Sequence, residues 1–395
     1  MKISYGKNVY DAREIKSVVK TLRNSTQMGL AVNKFEDKIS TLFSKKYGLM
    51  VNSGSSALIL ALKVLDLTKN SEVITPCLNF GTALSSIILS NLKPILVDCD
   101  KTTLQINIDE LSKKISKSTK VLLVPNLIGN VPNWQKIRKI ANKYKLKIIE
   151  DSADTLGAKY GKNYTGYFSD ISITSFYGSH IISCAGNGGM FLTNNKKYYN
   201  RAKVIRSWGR MSTLIKDSEN IKKRLSIKLK GFDYDKKFVF SEVGYNFEPS
   251  EIGASFGLEQ LKKFKNFAKI RNRNFYLHYD FFKKFDKFFM PINIDKNVKT
   301  NFLAFPIILK KNNLFNRKEL QIYLENNNIQ TRPIFSGNIL RHPAFSNLIN
   351  SRNKPRMFKQ SDYIMKNGLL IGCHHGLSKK QIYYIHKKIS KFLKR

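Results

Sequence analysis

The chain has 395 residues, of which 42% are hydrophobic and 12% are aromatic, a composition typical of a globular protein with a large core. No apolar run approaches the roughly 20 residues of a membrane-spanning helix, and the first residues contain no hydrophobic segment of a signal peptide. These features exclude a membrane-spanning protein, and we expect a cytoplasmic protein that makes no membrane contact.

The formal net charge is +41, because 69 lysines and arginines oppose 28 acidic residues. Such a charge is common among nucleic-acid-binding proteins. The basic residues are spread along the whole chain, however, and no basic tail or arginine-rich arm stands out. We expect no nucleic-acid partner. The charge can attract a phosphorylated substrate, but it does not identify one.

The cysteines are widely separated and form no CxxC pair; they are Cys77, Cys99, Cys184 and Cys373. This spacing favours isolated reduced thiols over a disulfide framework. The sequence contains no residue spacing that indicates a metal site.

Short apolar runs alternate with helical patterns over the first half of the chain. Strands are predicted at Glu72–Pro76, Pro94–Asp98, Lys120–Pro125, Lys147–Asp151, Ile171–Phe176 and Gly189–Thr193. Helices are predicted between them at Ser55–Leu67, Thr82–Asn91, Ile108–Ile115 and Trp134–Tyr144. This alternation indicates a mainly parallel sheet covered by helices on both faces, with ligands bound beyond the carboxyl ends of the strands.

The pattern changes near residue 260. The later predicted elements are a long helix at Leu261–Phe289, a strand at Asn301–Leu309, a helix at Arg317–Asn326, a strand at Gly368–Gly372, and a last helix with Ile382, Ile385, Ile389 and Phe392 on its apolar face. We therefore predict a large α/β domain over residues 1–260, with a surface excursion near residues 211–240, and a smaller α+β domain over residues 261–395.

Two segments have the residue types of a binding site at places where a sheet presents them. Gly54, Ser55 and Ser56 begin a predicted helix, where free backbone N–H groups attract an anion such as a phosphate. Asp151 ends a predicted strand, where its carboxylate can pair with a cation. Each segment alone is also consistent with an ordinary helix cap.

Two further polar segments follow. His180 comes shortly after the strand Ile171–Phe176, a position at which a lone histidine is usually structural. Val243–Asn246 is a polar turn that carries no specific signal by itself.

Taken together, these segments resemble the DegT/DnrJ/EryC1/StrS sugar aminotransferase family in order and spacing, over nearly the whole chain. Ser175–His180, followed by the glycine-rich run Gly186–Gly189, is similar to the segment in which that family holds pyridoxal phosphate on a lysine. Here the lysine position is occupied by His180, which cannot form that bond but can move protons near neutral pH. The resemblance implies the fold-type I, aspartate aminotransferase-like α/β architecture, with a three-layer sheet and a smaller carboxyl-terminal α+β domain.

Within the family, the chain resembles the 3-dehydratase branch. His180, the run Arg206–Arg210 and the run Gln330–Asn338 are similar to that branch. Its members convert nucleotide-linked 4-keto-6-deoxyhexoses to 4-keto-3,6-dideoxysugars, using pyridoxal and pyridoxamine 5'-phosphate with L-glutamate as the amine donor. Residues 205–245 contain no cysteine, so the resemblance is to the cluster-free version and implies no iron–sulfur cluster.

The resemblance also implies roles for individual residues. His180 is expected to be the sole general acid and base. The residues expected to bind the cofactor are Gly54, Ser55, Ser56 and Ser175 at its phosphate, Phe80 on its ring, Asp151 at its pyridine nitrogen, and Asp154 near its phenolic oxygen, for which a helix cap is the alternative. Asn246 is expected to complete the phosphate site of a neighbouring subunit in a homodimer with shared active sites. The candidate ligands of glutamate or nucleotide phosphate are Arg206, Arg210, Arg332 and His374.

Two features depart from the branch. Asn187 stands where relatives carry an acidic residue, and the spacing from Ser175 to Gly189 matches the aminotransferases better. A transaminase or another pyridoxamine reaction on a nucleotide sugar is therefore an alternative, as is a non-catalytic binding descendant of the fold. The residues leave the nucleotide and the hexose open.

Overall fold

The computed structural model describes residues 2–215, 217 and 219–394. Its α-helices are α1 (Ala12–Asn24), α2 (Leu30–Thr41), α3 (Gly54–Lys63), α4 (Gly81–Leu89), α5 (Ile108–Lys114), α6 (Trp134–Lys143), α7 (Lys196–Arg206), α8 (Ile221–Arg224), α9 (Glu251–Lys283), α10 (Arg317–Asn326), α11 (Lys359–Asn367) and α12 (Lys379–Leu393). Short 3₁₀ helices lie at Leu127–Gly129, Thr165–Phe168, Met211–Leu214, Lys236–Phe238, Ile339–Arg341, Pro343–Leu348 and Pro355–Met357.

The strands form one large sheet and several small ones. They are β1 (Tyr47–Val51), β2 (Glu72–Pro76), β3 (Lys93–Val97), β4 (Thr119–Pro125), β5 (Lys147–Asp151), β6 (Lys159–Tyr160), β7 (Asn163–Tyr164), β8 (Ile171–Ser175), β9 (Gly189–Thr193), β10 (Ile227–Leu229), β11 (Phe232–Tyr234), β12 (Val298–Lys299), β13 (Ala304–Ile308), β14 (Thr331–Pro333) and β15 (Gly368–Gly372).

The large sheet has seven strands in the order β1-β9-β8-β5-β4-β2-β3. Strands β8, β5, β4, β2 and β3 run parallel, while β9 is antiparallel to both β8 and β1. The structure confirms the prediction of a mainly parallel sheet, and all six predicted strands belong to it. β1 was missed, because it is a short apolar run at an edge of the sheet with no distinctive flanking pattern.

Both faces of this sheet are buried, which gives the domain three layers. Val73 packs into a cluster with residues of α3 and α4, whereas its neighbour Ile74 packs with Trp134 and Ile137 of α6. Successive strand residues point to opposite faces, so two apolar layers require the continuous apolar runs seen in the sequence.

The long helix α9 begins at Glu251 rather than at the predicted Leu261, so residue 260 lies within one helix. The Ser250 side chain caps it by accepting a hydrogen bond from the Gly253 N–H. The Glu251 carboxylate accepts from the N–H groups of Gly29, Ala31 and Val32 at the start of α2. This tertiary contact is invisible to local sequence patterns.

After α9 the chain forms an antiparallel sheet in the order β13-β15-β14. Ile382, Ile385 and Ile389 of α12 are buried in its core, as their helical spacing predicts. The described residues between 211 and 240 form short helices and the β10–β11 hairpin, with Phe232 and Phe240 exposed. Among the described residues, no helix is both long enough and apolar enough to span a membrane.

Candidate active site

A cavity of about 380 Å³ lies beyond the carboxyl ends of β4, β5 and β8. The lining residues between Ser53 and Gly188 form what we call the large-domain wall; among them are Gly54, Phe80, Asp151, Ser175 and His180. Two residues from much later in the chain, Leu303 and Phe335, also line the cavity. The volume is that of a small-molecule site, and the position is the one expected for a parallel sheet.

The amino terminus of α3 forms an anion cradle in this wall. The Ser53 side chain caps the helix, and Gly54 and Ser55 line the cavity beside Ser175. A Cβ on Gly54 would stand 2.8 Å from the Ser175 Cβ, so only glycine allows this close approach. The first N–H groups of the helix have no partner within the helix and are therefore suited to a phosphate.

Ser56 does not line this cavity, which differs from the expectation for it. Its backbone N–H donates to the Ser53 Oγ at 3.1 Å, and its hydroxyl donates to the Asn52 Oδ1 at 2.6 Å. Because the side chain is buried in this capping network, both of its donors are already used.

Asp151 ends β5 and faces the cavity with 8% of its surface exposed. Its Oδ1 accepts a hydrogen bond from the Ala153 N–H at 3.0 Å. Burial, together with the charge of Glu150, raises the pKa of this carboxyl to about 6 despite the hydrogen bond from Ala153, and the described residues of the cavity lining include no lysine or arginine. A protonated pyridine nitrogen would provide the missing charge, so Asp151 fits the cofactor.

Asp154 also lines the cavity, and burial raises its pKa to about 7. Its Oδ2 accepts from the Ile128 N–H at 2.8 Å. Ile128 has a φ of +61°, a strained conformation for a β-branched residue, so the carboxylate stabilises a costly turn. No α-helix begins at Asp154, and the alternative of a helix cap does not apply within the described chain.

His180 lies in the loop after β8, and its ring lines the cavity. Its Nδ1 donates to the carbonyl oxygen of Ala153, since a carbonyl can only accept. Burial lowers the pKa of His180 to about 4. The charge of Arg271 lowers this pKa further, whereas the hydrogen bond to Ala153 acts in the opposite direction. The imidazole is therefore neutral at pH 7, and its Nε2 is the nitrogen able to accept a proton.

Phe80 precedes α4 and is 58% exposed, although it is a large aromatic residue on the cavity wall. Its ring stands edge-on to Phe335, with centroids 6.4 Å apart. The turn is held by Asn79, whose Oδ1 accepts from the Phe80 N–H at 2.8 Å and whose carbonyl accepts from the Ser336 hydroxyl at 2.7 Å. An exposed ring fixed in this way offers a face for stacking.

Two predicted substrate ligands lie away from the cavity. Arg206 is 4% exposed, and its Nη1 donates to the Met50 carbonyl at 2.9 Å and bonds Glu36 at 3.3 Å. His374 is buried beneath the amino-terminal segment, where its Nε2 lies 3.1 Å from the Ser4 carbonyl oxygen. Both side chains have partners in the fold, which sequence patterns do not indicate.

Three other predicted residues lie outside the cavity wall but are accessible to a ligand or a second chain. Arg210 is half-buried and stacks on the Trp208 ring at 4.2 Å. Arg332 is exposed and lies 5.6 Å from the Tyr5 ring centroid. Asn246 is exposed, and the N–H of the nearby Glu248 donates to its Oδ1 at 3.4 Å.

The cavity lining also includes residues for which the sequence predicted no role, among them Asn79, Leu127, Tyr177, Leu303 and Phe335. Asn79 and Tyr177 lie inside recognisable segments. Leu303 and Phe335 reach the cavity only through tertiary packing, and no local signal identifies them. Among the residues described, no group of three or more His, Cys, Asp or Glu side chains could hold a metal ion.

The profile of the DegT/DnrJ/EryC1/StrS aminotransferase family matches residues 8–390. The lipopolysaccharide biosynthesis protein RfbH of Salmonella typhimurium is 31% identical over 97% of this chain and 90% of its own length. The GDP-4-keto-6-deoxy-D-mannose 3-dehydratase of Escherichia coli O55:H7 is 29% identical, over 93% of this chain and 94% of its own.

An aminotransferase relative is nearly as similar. The GDP-perosamine synthase of Escherichia coli O157:H7 is 28% identical over 92% of this chain and 90% of its own length. A solved GDP-4-keto-6-deoxymannose-3-dehydratase with a trapped PLP–glutamate geminal diamine superimposes with a TM-score of 0.87 at 27% identity, covering 98% of this chain and 99% of that one.

These findings confirm the predicted fold and cofactor. Solved neighbours at 27–28% identity hold hydrated PLP or a PLP–glutamate geminal diamine, and this cavity has an anion cradle, a buried carboxylate and an exposed aromatic ring that fit such a cofactor. The chain is thus an enzyme that uses pyridoxal or pyridoxamine 5'-phosphate, and it belongs to the DegT/DnrJ/EryC1/StrS aminotransferase family.

Proposed function

We propose that this enzyme removes the C3 hydroxyl of a nucleotide-linked 4-keto-6-deoxyhexose and yields a 4-keto-3,6-dideoxysugar, with L-glutamate as the amine donor. The observation that carries this proposal is His180, a neutral imidazole on the cavity wall at the position where the family's aminotransferases have a lysine. Since relatives with both outcomes resemble the chain, the proposal rests on the chemistry of this side chain.

The large-domain wall would hold the cofactor. Gly54, Ser55 and Ser175 would bind its phosphate, Phe80 would cover one face of its ring, and Asp151 would keep its ring nitrogen protonated. When bound, the cofactor supplies an amine for the sugar ketone and a ring that withdraws electrons from the reacting carbon.

His180 would move the protons of the reaction. Its Nε2 accepts a proton from the carbon that bears the cofactor amine and delivers it to the departing C3 hydroxyl. The hydrogen bond from Nδ1 to Ala153 keeps the ring in the tautomer that this role needs. A lysine here would instead bond covalently to the cofactor aldehyde and favour transfer of the amine.

The net reaction balances without a further reductant. The sugar loses one oxygen, glutamate loses its amino group as ammonia, and that oxygen is formally recovered in the carbonyl group of 2-oxoglutarate. One ammonia and one 2-oxoglutarate are therefore formed for each dideoxysugar. A transamination would release 2-oxoglutarate but no ammonia.

Substrate anions need cationic partners outside the wall. We propose Arg210 and Arg332 for glutamate carboxylates or nucleotide phosphates, because both are accessible and arginine binds such groups with two parallel hydrogen bonds. Arg206 is not proposed for this role, since its guanidinium is used by Glu36 and Met50.

We also propose a homodimer in which Asn246 completes the partner's phosphate site. Asn246 lies outside the cavity of its own chain, at the end of an arm (residues 206–246) that exposes several large apolar side chains: Phe232 is 75% exposed, Phe240 59% and Val243 94%. Such exposure is typical of a surface covered by another chain. Light scattering tests this proposal directly, and a monomer that retains full cofactor affinity would contradict it.

The test of the reaction uses purified enzyme with pyridoxal phosphate, L-glutamate and GDP-4-keto-6-deoxymannose. We expect a sugar product lighter by one oxygen, and the variant His180→Asn should not form it. Parallel reactions with CDP- and dTDP-linked sugars identify the nucleotide. If no nucleotide sugar loses oxygen, the proposal is wrong.

Transamination is the second candidate. Asn187 lines the cavity in place of an acidic residue, and the long spacing from Ser175 to Gly189 is closer to that of aminotransferases. An amino sugar as the product would establish it. The name of the relative RfbH, a lipopolysaccharide biosynthesis protein, also leads us to propose that the product is a building block of a surface polysaccharide.

A further inference from the structure

Arg271 is a fully buried residue of α9 that connects the loop carrying His180 to later segments of the chain, which belong to the predicted small domain. Its Nη2 donates to the main-chain carbonyl of His180 at 3.0 Å. Its Nη1 donates to the carbonyl oxygens of Phe302 and Leu303, both at 3.1 Å, and its Nε donates to the Nδ1 of His375 at 3.1 Å. The guanidinium therefore joins three separate segments, a geometry that lysine cannot reproduce.

These bonds form part of a closed ring around the cavity floor. The Leu303 N–H donates to the Ile128 carbonyl at 2.9 Å, and the Ile128 N–H donates to the Asp154 carboxylate at 2.8 Å. From Asp154 the chain leads to the adjacent Ala153, whose carbonyl accepts from the His180 ring. Arg271 closes the ring by joining His180 to Leu303, so Asp154 and His180, two of the titratable groups that line the cavity, belong to one hydrogen-bonded circuit.

The guanidinium is a buried charge whose hydrogen bonds all end on neutral acceptors. Burial lowers its pKa from 12.5 to about 10, so it remains protonated at pH 7. Burial lowers the pKa of the neighbouring imidazoles of His180, His374 and His375. Burial also raises the pKa of the Cys373 thiol and of the Tyr5 phenol, so all five groups are uncharged at pH 7. The cation opposes protonation of His180, which keeps the imidazole ready to act as a base.

We propose that Arg271 is a positioning residue that holds His180 in its catalytic orientation and couples that orientation to the small domain. The inference rests on the proposed role of His180 in proton transfer, and it applies to the amine-donor half of the reaction as well as to the sugar half. An anion-binding role does not fit, because the guanidinium is fully buried and each of its three nitrogens already donates a hydrogen bond within the fold.

The test compares Arg271→Lys and Arg271→Met with Arg273→Met, which removes a half-buried arginine of the same helix that contacts Asn274 and Leu377. In both Arg271 variants we expect kcat to fall by about 10- to 100-fold, with KM and cofactor affinity within about threefold of wild type.

Two further readouts report on the loop itself. Hydrogen exchange of the backbone over residues 176–188 should rise in both Arg271 variants. The acid limb of the kcat/KM profile should move to higher pH in Arg271→Met alone, because only that variant loses the charge. Arg273→Met should match wild type in every readout.

A role confined to stability would lower the thermal midpoint without changing kcat per bound cofactor or loop exchange in the folded protein, and that result would overturn the proposal. A second measurement, the formation of 2-oxoglutarate from glutamate in a single turnover, does not depend on which sugar reaction the enzyme performs. It therefore distinguishes failure of the positioning role from failure of the proposed dehydration. If wild type forms an amino sugar while the Arg271 variants still slow that half-reaction, the dehydratase proposal is wrong and the positioning role stands.

Discussion

The large-domain wall of the cavity and the arm of residues 206–246 differ in what holds their side chains. In the wall, Gly54, Asp151 and Ser175 are placed by the start of a helix and the ends of two strands, so backbone geometry alone aims them at one point. In the arm, Trp208, Phe240 and Val243 are exposed, and Arg210 lies away from the cavity of its own chain. The wall thus has the features of a complete half-site, while the arm has those of a surface completed by another molecule. Substitutions in the wall and in the arm should therefore differ in their effects.

Replacement of His180 should have the largest effect. In His180→Asn we expect the rate of sugar deoxygenation to fall by about 1000-fold or more, because the base at Nε2 is lost while the shape of the wall is kept. Steady-state rates and cofactor titration by absorbance provide the measurement. Ser179→Ala is the matched control, since Gly6 packs against the Cβ that alanine retains. A deoxygenation rate within tenfold of wild type in His180→Asn would contradict the assignment.

Asp151→Asn should weaken cofactor binding by about 100-fold or more, because the buried charge of the ring nitrogen then lacks its partner. Equilibrium dialysis against pyridoxamine phosphate measures this loss. Asp109→Asn, an exposed residue in the first turn of α5, should bind the cofactor as wild type does. Equal affinity in the two variants would exclude Asp151 from the site.

Asn246→Ala tests the arm. We expect about a tenfold loss of cofactor affinity, the effect of one hydrogen bond to a charged group. The exposed Asn266→Ala on α9 serves as control. Mixed dimers formed from Asn246→Ala and His180→Asn subunits should recover part of the activity, because one of the two sites then has both residues intact. Without recovery, the sites are not shared.

Acidification should have a smaller effect than any of these substitutions, and we expect it to lower the stability of the folded protein. The pKa values of His180, His278, His374, His375 and His386 are lowered by burial from 6.5 to between about 2 and about 4. Between pH 6.5 and 4 the unfolded chain therefore binds more protons at these sites, and each costs up to about 1.4 kcal/mol of stability per pH unit. The raised pKa values of Glu36, Asp151 and Asp154 act in the opposite direction over this window.

Because five imidazoles oppose three carboxyls, we expect the thermal midpoint to fall by several degrees from pH 7 to pH 5. Differential scanning fluorimetry at constant ionic strength measures it. His386→Gln, which keeps a donor toward the His278 Nδ1 at 3.0 Å, should make the slope shallower. A midpoint that rises on acidification would show that the carboxyls dominate.

The features that were predicted best from the sequence are those that local backbone geometry determines, namely the strands and the residues at their ends. The bounds of β2, β5 and β9 agree with the structure, and the residues at strand ends proved to lie together in one cavity. The hydrogen bonds of Arg271 could not be predicted from the sequence, because its partners are residues 180, 302, 303 and 375 and no local sequence pattern relates these positions to residue 271. Arg206 and Arg210 looked alike as candidate ligands, yet a buried glutamate engages only the first. Choices of this kind depend on packing at long range, which residue spacing does not encode.

The most direct test of the central claim is the ratio of ammonia to 2-oxoglutarate released by wild-type enzyme with glutamate and a nucleotide-linked 4-keto-6-deoxyhexose. Dehydration driven by His180 predicts a ratio of one, because each sugar that loses its C3 oxygen releases one molecule of each. A ratio of zero, with 2-oxoglutarate formed and the nitrogen retained on the sugar, would mean transamination and would contradict the account.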